Sequence, residues 1–329
     1  MTGQHKKLFI VIPIVFFGFW WTSKPTQPVL SNNPALDNAI QKNVQVKSQP
    51  VDYNIPLTNQ PGNHSPVDNP QANRPDVDCK SYKSIEPVNI GFMQSAGPPY
   101  QVSFSWWDSK RLALIKQGKK AFNNPSIVRI QQLLADSPLG SAFVDVGANV
   151  GFMTFSGAAQ GHPTFAIDPI SYNVAKLCEG IAANVESGAF KEDMVHVFHA
   201  AAGADSKSQI KMTRPANDVG YFDQSSLART AVHQQKVTTE TIPMVTVDEV
   251  VGNVSVGVVK IDVQGFEYGV MQGMKKVLKQ QQPKYVFYEE DPGMIRQAGF
   301  TPGASKAFVE SYGYRCKQEG ADFLCTFAS

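Results

Sequence analysis

Four short stretches of this 329-residue chain put chemically able side chains where apolar runs end. The first, Phe143 to Phe155, reads FVDVGANVGFMTF: an apolar run carrying Asp145, a turn built on Gly147, Asn149 and Gly151, then apolar spacing suited to a helix. Gly147 lets the backbone turn sharply, and Gly151 lets the helix start lie close to the strand or to a ligand. The glycine spacing is neither the dinucleotide fingerprint nor a phosphate-cradling loop. A carboxylate beside such a turn suits a ligand with positive charge or donor groups better than a pyrophosphate. The second stretch, TFAIDPIS, ends a strand-like run at Asp168, which is placed to accept hydrogen bonds from ribose hydroxyls. The third, VVKIDVQGFEYGVMQG, brings Lys260 and Asp262 to a strand end and opens the next helix with Gly265 and Glu267. Charges there are costly unless paired or used, so Lys260 either joins Asp262 or Glu267 in an ion pair or serves a reaction. The fourth, KYVFYEEDP, runs straight into Glu289, Glu290 and Asp291. A ligand with a ribose, a cationic part and no required phosphate describes S-adenosylmethionine better than NAD.

The elements that must position these groups follow from the apolar pattern. Buried strands are expected at Ala142 to Val146, Thr164 to Ile167, Val195 to Phe198, Val256 to Ile261 and Lys284 to Tyr288. Helices are expected at Gly151 to Gln160, Ser171 to Ser187 and Gly265 to Gln281. Strands alternating with helices predict an α/β, doubly wound, mostly parallel sheet with ligands at the strands' C-terminal ends. The last residues, GYRCKQEGADFLCTF, predict an antiparallel hairpin turning at Glu319 and Gly320.

With these pieces in order, the chain resembles the FkbM-like S-adenosylmethionine-dependent methyltransferases of the Rossmann-like class. The resemblance spans Ala142 to Cys325 and is carried by FVDVGANVGFMTF, Asp168, VTVDEVV, VVKIDVQGFEYGVMQG, YVFYEED and ESYGYRC. The family typically has Glu where this chain has Gln264, and Glu-Pro where it has Asp168 and Pro169. The resemblance implies a seven-stranded sheet ending in an antiparallel hairpin, and methyl transfer to a hydroxyl group. It places Asp262 near the sulfonium and the acceptor, with Lys260 and Glu267 shaping its charge or serving as base; which of the three takes the proton is left open. Asp145, Gly147, Asn149 and Gly151 are expected around the methionine portion, Asp168 at the ribose, and the HAAAG run containing Ala201 beside the adenine. The intact acidic positions weigh against a nucleoside-binding pseudoenzyme of the same fold, and the missing Gly-x-Gly-x-x-Gly weighs against a nicotinamide oxidoreductase.

The remainder of the chain bears on partners and place. Leu8 to Trp21 is uncharged, follows His5, Lys6 and Lys7, and closes on two tryptophans, so residues 1–24 are expected to form a cytosolic tip and signal-anchor helix. Cleavage as a secretory signal is the alternative, in which case the protein is secreted. Residues 25–90 are rich in Pro, Asn and Gln: ten of the 22 prolines lie between Thr22 and Ile90, which predicts a disordered stem. The methyltransferase domain is then expected over residues 91–329, facing the lumen of the ER or Golgi, with a glycan or other small hydroxylated molecule as acceptor. Sequons occur at Asn63 and Asn253, the second close to a strand. The stretch from Arg214 to Lys236 is a candidate acceptor loop, and the Trp106–Trp107 pair a candidate sugar-stacking surface or simple packing. A net charge of +2 carries no signature of nucleic-acid binding. The six histidines are scattered and no Cys-x-x-Cys occurs, so no metal is expected. The four cysteines do not make a disulfide scaffold; one falls in the stem, while Cys316 and Cys325 face each other across the terminal hairpin and are candidates to pair in an oxidising lumen.

Overall fold

The computed structural model describes residues 76–82, 88–93, 97–104, 125–215 and 237–328. The expected anchor, the sequon at Asn63, the Trp106–Trp107 pair and most of the Arg214 to Lys236 stretch lie outside them. No helix among the described residues is long and apolar enough to cross a membrane.

Five strands carry the parallel sheet: β3 (Ala142–Val146), β4 (Thr164–Asp168), β5 (Val195–His199), β9 (Val256–Ile261) and β10 (Tyr285–Glu289). Apart from His196 and the last residues of β5 and β10, these strands are buried on both faces, which is why they read as continuous apolar runs. The hairpin β11 (Tyr314–Glu319) and β12 (Asp322–Phe327) joins through β12, antiparallel to β10, giving the seven-strand order β11-β12-β10-β9-β3-β4-β5. From β3 the chain steps outward to β4 and β5, then returns at β9 to the other side of β3. The C-terminal ends of β3 and β9 therefore flank the switch point where such sheets hold ligands.

Side chains alternate between two cores. Val144, Val146, Phe165, Ile167, Val259, Ile261, Val286 and Tyr288 meet α4 (Val247–Val251), α5 (Glu267–Gln272) and α7 (Ala304–Glu310) on one face. Phe143 and Val258 meet Ile130, Leu133 and Leu134 of α1 (Pro125–Ala135) on the other, while Ala166 and Val197 meet α2 (Phe152–Ala159) and α3 (Ser171–Ser187). A small helix, α6 (Pro292–Gln297), follows β10 and is capped by Asp291.

Three parts differ from the sequence reading. The helix expected over Gly265 to Gln281 stops at Gln272, and a turn of π-helix follows at Val277–Gln281. Gly273 lies so close to the Gly203 carbonyl that no side chain fits there, and the Asp248 carboxylate accepts from the Lys276 and Val277 amides, starting the new turn. A hairpin of β1 (Asn89–Met93) and β2 (Tyr100–Phe104) and a small sheet of β6 (Ala201–Ala202), β8 (Val237–Val245) and β7 (Gln209–Pro215) complete the described elements.

The third difference concerns the expected stem. Residues 76–82 lie against the free edge of β5: Asp76 bridges Phe198, the Val77 amide donates to the Val197 carbonyl at 2.8 Å, and Cys79 is bonded to Cys178 of α3. Local composition missed this strap because its ties are edge pairing and a covalent link 99 residues away in sequence. The second disulfide joins Cys316 and Cys325, directly opposed in the hairpin, so all four cysteines are paired.

Candidate active site

Asp145 and Lys260 are Cα partners across the β3–β9 seam, and their side chains meet at 3.1 Å with both almost wholly buried. Thr154 of α2 donates to the second Asp145 oxygen at 2.7 Å. The Lys260 ammonium also donates to the Gly147 carbonyl at 2.7 Å and lies 4.0 Å from Asp262. Burial pulls the Lys260 pKa down, but the Asp145 and Asp262 carboxylates outweigh it and the net shift is upward. Lys260 is therefore an ammonium with its donors engaged, and has no lone pair with which to take a proton. The Asp145 carboxylate is engaged by this ammonium and by Thr154, and the same ammonium ties it to the carbonyl of the Gly147 turn.

That turn is tightly built. Gly147 has φ of 76° and sits so near the Asp262 carbonyl that a Cβ would collide with it. The Asp262 amide donates to the Val146 carbonyl at 3.0 Å, tying the two strand ends together. Asn149, at φ 52°, accepts from the Val150 amide through its own side chain and gives its backbone N–H to Asp168 Oδ2 at 2.8 Å. Gly151, at φ 95°, precedes α2 with the Phe155 ring in the space a side chain would need.

Asp168 ends β4 beside His199, its Cα partner on β5. It also accepts from the Ile170 amide at 2.9 Å and from Asn173 Nδ2 at 3.1 Å. Burial pushes its pKa up to about 6 despite these bonds. Among the described residues one donor reaches Oδ2, which leaves acceptor capacity for a ligand hydroxyl. Ala201 is buried in β6 against Met212 and Met244, and the Ala200 amide donates to the Asp168 carbonyl, so the HAAAG run abuts the Asp168 turn.

At the end of β9 the two carboxylates of the KIDVQGFE block, Asp262 and Glu267, separate. Glu267, first residue of α5, accepts from the Val263 and Gly265 amides through Oε1, at 3.1 and 3.0 Å; its Oε2 is buried with no hydrogen-bond partner among the described residues. Burial raises its pKa to about 7. Asp262 keeps its side chain 40 % exposed. Gln264, at φ 56°, donates from one amide nitrogen to Asp262 Oδ1 at 2.9 Å and to Glu289 Oε2 at 3.1 Å. Burial first, and the neighbouring Asp262 second, push Glu289 up to about 8. Asp322 of β12, opposite Glu289, accepts from Ser126 and is raised by burial to about 6. Sequence reasoning singled out Glu289 only as part of an acidic strand end and missed Asp322 and Ser126. Asp322 becomes visible only once the hairpin is in register with β10, and Ser126 carries no signal in one sequence.

Glu267 offers a test of this electrostatics. Its folded pKa lies above the ordinary value of 4.5, so the folded protein holds a proton that the unfolded chain releases. The associated stability is present below about pH 4.5 and is lost as pH rises through about 7. Glu267→Gln keeps the accepting oxygen and replaces the unpartnered one. The variant's Tm relative to the unmodified protein is expected to be higher at pH 8 than at pH 5, read by calorimetry at both; an equal difference would refute the assignment.

A mostly parallel, doubly wound seven-strand sheet with a glycine turn and acidic strand ends at its switch point has the Rossmann-like methyltransferase fold. A family model described as the methyltransferase FkbM domain matches residues 145–316, over half of the chain, and the chain belongs to that family of S-adenosylmethionine-dependent enzymes. No curated protein matches the sequence. Similar solved structures include magnesium protoporphyrin IX methyltransferase from Synechocystis PCC 6803 with bound SAM, at 10% identity and TM-score 0.37, covering 68% of this chain and 86% of that one. A 16S rRNA methyltransferase from T. thermophilus in complex with AdoMet and guanosine is similar at 11% identity and TM-score 0.40, covering 75% and 53%. Precorrin-6y C5,15-methyltransferase from Geobacter metallireducens GS-15 is similar at 11% identity and TM-score 0.34, covering 62% and 88%.

Proposed function

We propose that this family member transfers a methyl group from S-adenosylmethionine to a hydroxyl of a glycan or other small hydroxylated acceptor, in the lumen of the ER or Golgi. The observation that carries the donor's fit is the charge balance of the crevice. Asp168, Asp262, Glu267 and Glu289 gather at the strand ends, and among the described residues the ammonium beside them, Lys260, is already matched by Asp145. Such a site favours a cationic ligand, because a nearby positive charge stabilises the carboxylate form that burial disfavours at Asp168, Glu267 and Glu289. Gly147 and Gly151 let the turn close tightly against the Asp262 carbonyl and the Phe155 ring, and Asp168 Oδ2 can accept from a ribose hydroxyl. When bound, the sulfonium cofactor supplies an electrophilic methyl group.

The chain's own work is alignment, exclusion of water and removal of one proton. Lys260 remains an ammonium and Glu267 lies buried under two backbone amides, so Asp262 is the group best placed to receive an acceptor's proton. Gln264 holds its carboxylate from one side, through the same amide nitrogen that donates to Glu289. Hydroxyl acceptors suit this arrangement because they, unlike thioethers or ring nitrogens with free lone pairs, must lose a proton on methylation. Two paired disulfides in a chain with no cysteine left over support an oxidising compartment. Asn253, exposed in the turn before β9, presents its sequon where a luminal glycosylating enzyme can reach it.

The deciding experiment incubates the full chain, in detergent, with labelled S-adenosylmethionine and a panel of glycans, lipids and small alcohols. Label retained as a base-stable methyl ether on an acceptor supports the reading; transfer only to nitrogen or carbon acceptors overturns the hydroxyl assignment. Thermal stabilisation by S-adenosylhomocysteine and not by NAD is expected alongside, about 2.7 kcal/mol at a hundredfold excess over Kd.

A further inference from the structure

The strap of residues 76–82 lies outside the family's matched span, yet it reaches the nucleoside side of the crevice. Tyr82 presents its hydroxyl to His199 Nδ1 at 3.0 Å, with the two rings edge to face at 5.7 Å. The other nitrogen of that ring, Nε2, lies 3.2 Å from the Pro169 carbonyl oxygen. A carbonyl only accepts, so Nε2 carries the proton; in the neutral ring Nδ1 is then an acceptor and the Tyr82 hydroxyl donates to it. Burial raises the pKa of this hydroxyl, which keeps it a donor.

Pro169 follows Asp168 directly, and the same turn supplies the Ile170 amide that holds Asp168 Oδ1. The Ala200 amide, next to His199, donates to the Asp168 backbone carbonyl at 3.2 Å. Tyr82, His199 and Pro169 thus form a line of contacts ending on the backbone that carries the ribose-suited carboxylate. The strap is fixed at Cys79, bonded to α3, and at Asp76, which accepts from the Val197 amide at 3.0 Å and meets His196 at 2.9 Å. Two residues, Lys80 and Ser81, separate Cys79 from Tyr82, too few for the tyrosine to stray while the disulfide is closed.

We propose that Tyr82 is a positioning residue for the nucleoside end of the methyl-donor site, acting through His199 and Pro169 on the turn that carries Asp168, and that the Cys79–Cys178 bond holds it there. The cofactor site of this chain is accordingly completed from outside the family domain, by a segment whose composition resembles a linker. This inference rests on the methyl-donor reading above.

Tyr82→Phe tests it, because the ring and its packing stay while the hydroxyl goes. Loss of one hydrogen bond is expected to raise the Kd for S-adenosylhomocysteine and the KM for S-adenosylmethionine by about threefold to tenfold, with kcat unchanged. Tyr314→Phe is the control: its hydroxyl donates to the Pro283 carbonyl at 2.9 Å, within the opposite end of the sheet, so Tm falls without a change in Kd. Opening the strap with Cys79→Ser and Cys178→Ser together is expected to raise Kd at least as far as Tyr82→Phe does. An unchanged Kd in Tyr82→Phe, or an equal rise in Tyr314→Phe, overturns the proposal while leaving the methyl-donor reading in place. Failure of the unmodified protein to bind S-adenosylhomocysteine overturns both.

Discussion

Asp262→Asn is expected to slow methyl transfer by roughly 10²- to 10⁴-fold while S-adenosylhomocysteine binds within a few-fold of its original affinity. Asp262 is the one carboxylate of the KIDVQGFE block with an open face, whereas Glu267 is spent on backbone amides. Asparagine preserves size and one accepting oxygen, so the Gln264 contact survives and the loss is confined to proton transfer. Single-turnover rates and calorimetric Kd values separate the two quantities. Turnover within threefold of the original would remove Asp262 from the reaction centre, and a parallel loss in Glu267→Gln would move the proton to Glu267 instead.

The second large effect is on stability. Lys260→Met is expected to cost about 3–5 kcal/mol, because it strands the Asp145 carboxylate inside the β3–β9 seam with Thr154 as its remaining side-chain partner. Neutralising Asp145 as well, with Asp145→Asn in the same chain, is expected to recover part of that loss, since the expense lies in an unmatched buried charge rather than in the absence of an attraction. Denaturant midpoints of the two variants decide it. A loss below about 1 kcal/mol in Lys260→Met would mean that water reaches the pair, against its burial in the structure.

These two variants also show where sequence reading reaches its limit. The strands β3 and β9 were legible to the residue, because a strand covered on both faces leaves an uninterrupted apolar run, and Asp145 and Lys260 stand out as the polar residues within them. Their partnership was not legible: Lys260 read as a mate for Asp262 or Glu267, its neighbours in sequence, while the sheet pairs it with a residue on another strand. Asp322 and the strap escaped for the same reason, since each owes its place to register or to a covalent tie across the fold. The break in the helix at Gly273 came from backbone crowding against Gly203, which no propensity encodes. Gln264 was noticed as a departure from the family's glutamate, and the structure gives it a use: its amide joins two carboxylates that a third would have repelled.

The order of strands also bears on how the chain comes off the ribosome. Strands β3, β4 and β5 can pair as they emerge, but the inner edge of β3 then waits for β9, roughly a hundred residues later at a synthesis rate of about 5–20 residues per second. Through that interval a nascent chain offers an unpaired, apolar strand edge with an unmatched Asp145 on it. Arrival of β9 closes the edge, neutralises the charge and brings Asp262 to the crevice in one event, so this charged centre is assembled at the seam of the sheet that waits longest for its second strand.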